Sequence, residues 1–295
     1  MTSRGILVYA RNNSQVDYIK QAYFLAVRVK DYLGLPTTLV TDSAEFLDLE
    51  YPNWRLVFEK VIRVVWDSEN SQEDTVLSRN ETHAQKKFYD GSLVSKQLEW
   101  KNNLRSSAYD VSAYEETLVL DSDIVICNNN FAKCFEQKHD FLIYRDAVDL
   151  AGIDTGDDFR RISDTSVDFF WATAFFFRKT LDNKVFFDLL KHIEENWTHY
   201  KRIFQINAPY FRNDHAFSIA IHIMNGYQTS DFANPMPGTL YFVTDKSILW
   251  EINQDSLLIL LEKPKYVGEY TPLRINKSTT HVMNKFSLNR CIDEI

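Results

Sequence analysis

Long apolar runs are missing from this chain of 295 residues: 45% of it is hydrophobic, yet no stretch approaches the roughly 20 residues of a membrane-spanning helix. Cysteine is equally scarce. Cys127, Cys134 and Cys291 are odd in number and form no Cys-x-x-Cys pair, which excludes a disulfide framework and a cysteine zinc site. Glycine occurs only 8 times, and the first apolar strand is followed by Arg11-Asn-Asn-Ser14 instead of the glycine-rich, basic loop that cradles phosphates. Positive charge is short as well: 33 Lys and Arg face 41 Asp and Glu, for a formal charge of -8. The molecule as a whole is therefore a poor electrostatic match for nucleic acid, although a local basic patch stays compatible with it. Lys86-Lys87 and Lys201-Arg202 are ordinary solvated pairs without interleaved aromatics. There is no internal repeat or low-complexity linker, so one globular domain is expected. Met1-Thr-Ser-Arg-Gly5 leads straight into a strand, which predicts no secretory leader and a cytosolic location.

What is present begins with Gly5 to Ala10, a short buried strand. A helix follows, capped by Ser14 and patterned by Val16, Ile19, Tyr23, Ala26 and Val27. Gly34 and Pro36 end it, and Thr37 to Thr41 is the next strand. Strand, helix, strand predicts a parallel crossover in an α/β sheet, where ligands sit beyond the carboxyl ends of the strands. Arg11, Asn12 and Asn13 lie at that edge after the first strand, and Thr41-Asp42 after the second. Turn chemistry and ligand contact are both open for these residues. Leu56 to Trp66 reads as another strand, and the polar stretch 67 to 90 as an insertion or long loop. Asp140 to Tyr144 and Phe169 to Phe177 read as buried strands separated by the acidic loop Asp149 to Asp158. An amphipathic helix then places Val185, Phe186, Leu189, Leu190, Ile193 and Trp197 on one face.

The most informative stretch is Thr117-Leu-Val-Leu-Asp-Ser-Asp-Ile-Val-Ile126. Residues i and i+2 of a strand project together, so Asp121 and Asp123 share one face around Ser122. Two like charges within an apolar strand need a cation or donors to compensate them. A divalent ion such as Mn2+ or Mg2+ meets that need. A solvated turn at a strand end is the plainer reading.

Around residues 92 to 108 the spacing predicts a helix, with Leu93, Val94, Leu98, Trp100, Leu104 and Ala108 on its apolar arc and Gln97, Lys101 and Arg105 in the middle of it. Two cations on a buried face must find an anion, either a core acid such as Asp121 or the phosphates of a nucleotide, or else snorkel to the surface. Asn213 or Asp214 would cap a later helix. His281 and Lys285 stand four apart in a polar, non-periodic segment that gives them no packing role.

In this order, the features resemble the nucleotide-sugar glycosyltransferases of the GT-A fold, especially the retaining branch that includes glycogenin and the bacterial galactosyltransferases. The resemblance spans residues 5 to 286. It is carried by the strand-helix-strand opening, a basic helix before an apolar strand, Asp121-Ser-Asp123, and a late His281-x-x-x-Lys285. That last element is shorter by two residues than the branch's His-x-x-Gly-x-x-Lys and lacks its glycine. Trp171-Ala-Thr-Ala174 stands where the branch has Asn-Ala-Gly.

The resemblance implies an α/β fold of GT-A (Rossmann-like) type, with a mixed, mostly parallel sheet flanked by helices. Residues 1–295 would form a single domain, about 1–130 its nucleotide-binding half and about 131–295 its acceptor side with the C-terminal metal and phosphate element. It implies that Asp123 ligates Mn2+ or Mg2+, that Asp121 ligates it or bonds the donor ribose, and that His281 is a third ligand. Lys285, with Lys101 or Arg105, would neutralise the diphosphate of a UDP-sugar. Ala10, Arg11, Asn12 and Ser122 would contact the nucleotide, and Asp214 would face the reacting sugar or acceptor hydroxyl. Transfer would retain anomeric configuration. A glycan, a protein and a modified DNA base remain open as acceptors, with Pro235 to Gly238 and the aromatics Tyr241, Phe242, Trp250 and Tyr266 near that side. A metal-dependent nucleotidyltransferase or phosphohydrolase, and a non-catalytic carbohydrate- or protein-binding module, are the alternatives.

Overall fold

A computed structural model describes residues 3–64, 85–89, 95–99, 104–152, 160–163, 167–208, 210–227, 232–263 and 266–294. Its elements, in chain order, are β1 (Arg4–Tyr9), α1 (Tyr18–Leu33), β2 (Thr37–Thr41), α2 (Ala44–Glu50), β3 (Lys60–Arg63), β4 (Gln85–Tyr89), β5 (Ser95–Glu99), α3 (Ala108–Val111), β6 (Glu116–Asp121), β7 (Ile124–Val125), β8 (Phe141–Tyr144), β9 (Ala147–Asp149), β10 (Trp171–Arg178), α4 (Leu181–Glu195), α5 (Trp197–Ile203), α6 (Asn213–Met224), β11 (Asn234–Pro235), β12 (Leu240–Val243), β13 (Ile248–Ile252), β14 (Ser256–Lys263), β15 (Tyr266–Asn276), β16 (Thr280–Val282) and α7 (Lys285–Asp293).

The expected mixed, mostly parallel sheet flanked by helices is present. Its strands are ordered β11-β8-β10-β6-β1-β2-β3, and β10 alone opposes the others. In β1, Ile6, Leu7 and Val8 are all fully buried, as a strand covered on both faces requires. Helix α1 starts at Asp17, whose side chain accepts the Lys20 N–H, and ends at Gly34 in the left-handed conformation (φ 63°), a favoured helix stop. Ser14 is thus not the cap, and Val16 is buried before the helix begins. The face of α1 that packs on the sheet is Ile19, Ala22, Leu25, Ala26 and Val29. On the later strands, Phe141 and Phe175 meet Phe186, Phe187 and Phe217 from α4 and α6 at ring separations of 4.7 to 6.2 Å, a large apolar contribution. Val185 does not join this face and is exposed.

A second sheet, β7-β16-β12-β9, begins where the first ends, because the chain passes from β6 into β7 through Ser122 and Asp123. The third is the antiparallel meander β13-β14-β15, whose Leu249 and Leu257 pack with Leu288 and Cys291 of α7. No helix among the described residues is long and apolar enough to cross a membrane. The three cysteines are buried and free.

Several expectations fail here for identifiable reasons. The helix across 92 to 108 is not formed: Ser95–Glu99 is a strand paired with Gln85–Tyr89, and Leu104 takes φ 85°, which no α-helix tolerates. Arg105 instead opens a single 3-10 turn. The polar stretch 67 to 90 is therefore not wholly a loop, and the strand expected over 56 to 66 is reduced to Lys60–Arg63. The segment around His281 is not irregular but a strand followed by a helix. Phe242 is core, whereas Trp250 is exposed.

Gly5 allows β1 to lie against Tyr114. A Cβ at that position would fall 2.3 Å from ring atoms of Tyr114, whose hydroxyl is held by Thr38 and Glu59. Gly5→Ala is expected to lower unfolding free energy by about 1–3 kcal/mol through overpacking, measured by urea denaturation.

Candidate functional site

The two carboxylates stand where the chain leaves the first sheet. Asp121 closes β6, in register with Tyr9 at the end of β1, so it emerges at the carboxyl edge where α/β sheets take ligands. Two residues on, β7 pairs antiparallel with β16, setting His281 opposite Ile124. This register carries a residue 158 positions distant to the second acid: His281 Nε2 lies 3.0 Å from Asp123 Oδ2. The Val282 N–H also donates to the Asp123 carbonyl. One ligand atom from each of Asp121, Asp123 and His281 lies within 4.8 Å of the other two. Two carboxylates and an imidazole form a donor set suited to Mn2+ and similar divalent ions, so the side chains fit the expected metal.

Both acids are already opposed by cations. Lys285, the first residue of α7, ion-pairs Asp123, and the fixed start of that helix, where the Asn284 side chain accepts the Ser287 N–H, holds its stem in place. Arg105 ion-pairs Asp121 and donates to the Ala172 carbonyl. Burial pulls the Arg105 guanidinium down to about 10, against the raising influence of Asp214 and Tyr9, and it remains charged at neutral pH. Asp123 is only 3% exposed and His281 6%, so unpaired charge would be costly here. The cations and the imidazole remove that cost.

Asp214 does not cap α6; the cap position is Arg212, and Asp214 lies in the first turn. Its carboxylate accepts the Ala172 N–H at 3.0 Å and a bond from Arg212 at 2.8 Å. Burial alone would raise its pKa, but the Arg212 charge and hydrogen bond, the His215 charge and the Ala172 N–H outweigh burial and hold the carboxyl below its ordinary value. Ala172 thereby ties Asp214, through its N–H, to Arg105, through its carbonyl. Arg212 was not singled out in the sequence, although its place two residues before Asp214 is a usable signal.

The nucleotide-binding positions divide. Arg11 is buried at the same edge and bonds Asp42 at 3.2 Å, while Ala10 donates its N–H to the Val40 carbonyl. The Asn12 side chain accepts the Ile19 N–H and donates to Asp17, securing the start of α1. Ser122 is buried, with its hydroxyl 3.5 Å from Gln21 Oε1. Lys101 lies outside the described residues.

No protein-family model matches the sequence, and neither does any curated protein. Among solved structures, the chain is similar to the glycosyltransferase GlyE of Streptococcus pneumoniae TIGR4, with 12% identity over 80% of this chain and 45% of that one and a TM-score of 0.41. It is also similar to the galactosyltransferase LgtC in complex with donor and acceptor sugar analogs, with 7% identity over 78% of this chain and 72% of that one and a TM-score of 0.45. The chain thus spans under half the length of GlyE. Likeness at these scores assigns no function.

His215, beside Asp214, gives the site a measurable signature. Burial and then the Arg212 charge push its imidazole down from 6.5 to about 4, with Asp214 opposing. The unfolded chain takes up this proton below 6.5 and the folded chain only near 4, so the stability concerned is complete above 6.5 and lost as pH falls towards 4. The loss amounts to about 3 kcal/mol. His215→Phe is expected to lack it, so that urea titrations at neutral pH and near the lower limit of that window would give a smaller decline for the variant than for the wild type.

Proposed function

We propose that this chain is a metal-dependent glycosyltransferase of the GT-A type, moving a sugar from a UDP-sugar to an acceptor with retention of configuration. The observation that carries the reading is the convergence of Asp121, Asp123 and His281 at the carboxyl edge of a mostly parallel sheet. These three side chains would hold Mn2+ or Mg2+. An ion bound there supplies positive charge to the departing diphosphate, the Lewis-acid and orienting contribution of a metal.

The chain's own residues supply the rest. Lys285 and Arg105 already converge on the two acids, so both would add positive charge beside a diphosphate held there and stabilise the leaving group as the glycosidic bond breaks. Arg11, with the Ala10 backbone and Ser122, would line the nucleotide side, and Asn12 would act through the start of α1 that it fixes. Asp214, held ionised by Arg212 and the Ala172 N–H, is poorly matched to removing a proton near neutral pH. It is suited instead to accepting a hydroxyl of the reacting sugar and holding it in place. This agrees with retention, which asks no general base of it, as does the late His281-Lys285 element.

The test is a thermal-shift series. Wild type with Mn2+ and a UDP-sugar together is expected to melt higher than with either alone, since a ligand that binds only the native state stabilises it. Asp123→Asn keeps an acceptor oxygen for His281 while removing the charge, and is expected to lose that Mn2+-dependent increment. A response to nucleoside triphosphates but to no nucleotide sugar would reject glycosyl transfer in favour of nucleotidyl transfer; silence toward every nucleotide would leave a binding module.

A further inference from the structure

Three arginines meet at a second place on the same edge of the sheet. Arg145, Arg160 and Arg161, with Asp146 and Asp168, line a cavity of about 250 Å³. Arg145 pairs with Asp168 at 3.0 Å, whereas Arg160 and Arg161 have no ion-pair partner among the described residues. Their backbone is nonetheless fixed. Phe169 donates its N–H to the Arg160 carbonyl at 2.9 Å, Ile162 donates to Val167 at 3.1 Å, and Arg161 bridges Asp168. Ile162 and Val167 are both buried in the main core. Three arginines against two carboxylates leave the lining of this anchored clasp with a surplus of positive charge, in a chain of net charge -8, and an anion satisfies it. Guanidinium forks suit carboxylate and phosphate alike.

The cavity opens into a larger one of about 400 Å³ that shares Arg145, Asp146 and Asp168 and adds Phe170, Tyr227, His222 and Asn225. Aromatic faces beside a few hydrogen-bonding groups are the chemistry of a small-ligand cleft, and they suit a sugar ring. Its place follows from the sheet: β8, which ends just before Arg145, runs the same way as β6 because β10 opposes both. Contacts link it to the acids. Arg105 joins Asp121 to the Ala172 carbonyl, Ala172 donates to Asp214, and two residues away Phe170 donates to Ser218; Phe170 and Ser218 both line the cleft.

We propose that the acceptor is an acidic glycan, its sugar lying in the Phe170–Tyr227 cleft and its carboxylate or phosphate held by Arg160, Arg161 and Arg145. This rests on the glycosyltransferase reading and names the acceptor's chemical class. A polynucleotide is less well suited, since the cations form one pocket and not a track, on a molecule of net negative charge.

The experiment is a calorimetric titration of the full chain with matched probes: oligogalacturonate against neutral oligogalactose, glucose 6-phosphate against glucose, and an oligothymidylate. The acidic member of at least one sugar pair is expected to bind about tenfold or more tightly than the neutral one, and the preferred pair tells carboxylate from phosphate. Arg160→Gln with Arg161→Gln is expected to abolish the preference while leaving neutral-sugar binding and the Mn2+-dependent UDP-sugar thermal shift intact. Equal binding within both pairs, or a preference that survives in the double variant, would overturn the proposal. An oligothymidylate that binds more tightly than every sugar, with steep salt dependence, would overturn it in favour of nucleic acid. Loss of the UDP-sugar response in wild type would reject the glycosyltransferase reading, while the acid preference would still be read independently.

Discussion

The short antiparallel ladder between Ile124–Val125 and Thr280–Val282 is the contact through which the site exists. Asp121 and Asp123 arrive at the edge of the first sheet by local chain direction alone, but a part-buried and a buried carboxylate so close together repel and resist leaving water. The ladder answers this by bringing His281 against Asp123, and the turn into α7 immediately after it delivers Lys285. Pairing on the other side of β16, with β12 through Phe242 opposite His281, prevents the strand from drifting. The second sheet thus serves as a support that fixes the far wall of the site against the first.

The opposite wall is built from a different material. Ala172 lies on β10, the one strand that runs against the rest of the seven-stranded sheet, so its peptide groups face the site from the strand's beginning and not its end. Its carbonyl takes Arg105 and its N–H takes Asp214, so a single residue holds a cation and an anion. Behind it, Trp197 stacks parallel to the His215 ring at 6.4 Å, keeping that imidazole out of water. The reversal of β10 is also what directs the approach to Phe169 and Phe170 towards the cleft shared with Arg145, so one topological feature connects both ends of the edge.

The sequence conveyed these parts unequally. Alternating acids in an apolar run announced themselves because strand periodicity is local, and β1, α1 and β2 were legible for the same reason. The basic segment before β6 departs from its local pattern: apolar residues at helical spacing are equally available to a strand such as Ser95–Glu99, and pairing with Gln85–Tyr89 decides for the strand. Arg105 still meets Asp121, by way of a 3-10 turn. Asp214 carries a cap-like position in sequence, yet its carboxylate is engaged by Ala172, 42 residues earlier, and by Arg212.

The class of the fold was legible in the residues alone, through buried strands alternating with capped helices, and so was the pair of carboxylates that share a face at a strand end. The sequence also set the negative overall charge and the absence of a cysteine metal site. Only the tertiary structure decided which cations compensate those carboxylates and that His281 is within reach of them, because these contacts span 16 to 162 positions of chain and are fixed by strand register, which no local pattern encodes. It likewise decided that Arg145 and the Arg160-Arg161 pair form one pocket: separate stretches of chain meet there only because a bridge at Asp168 closes them over the core.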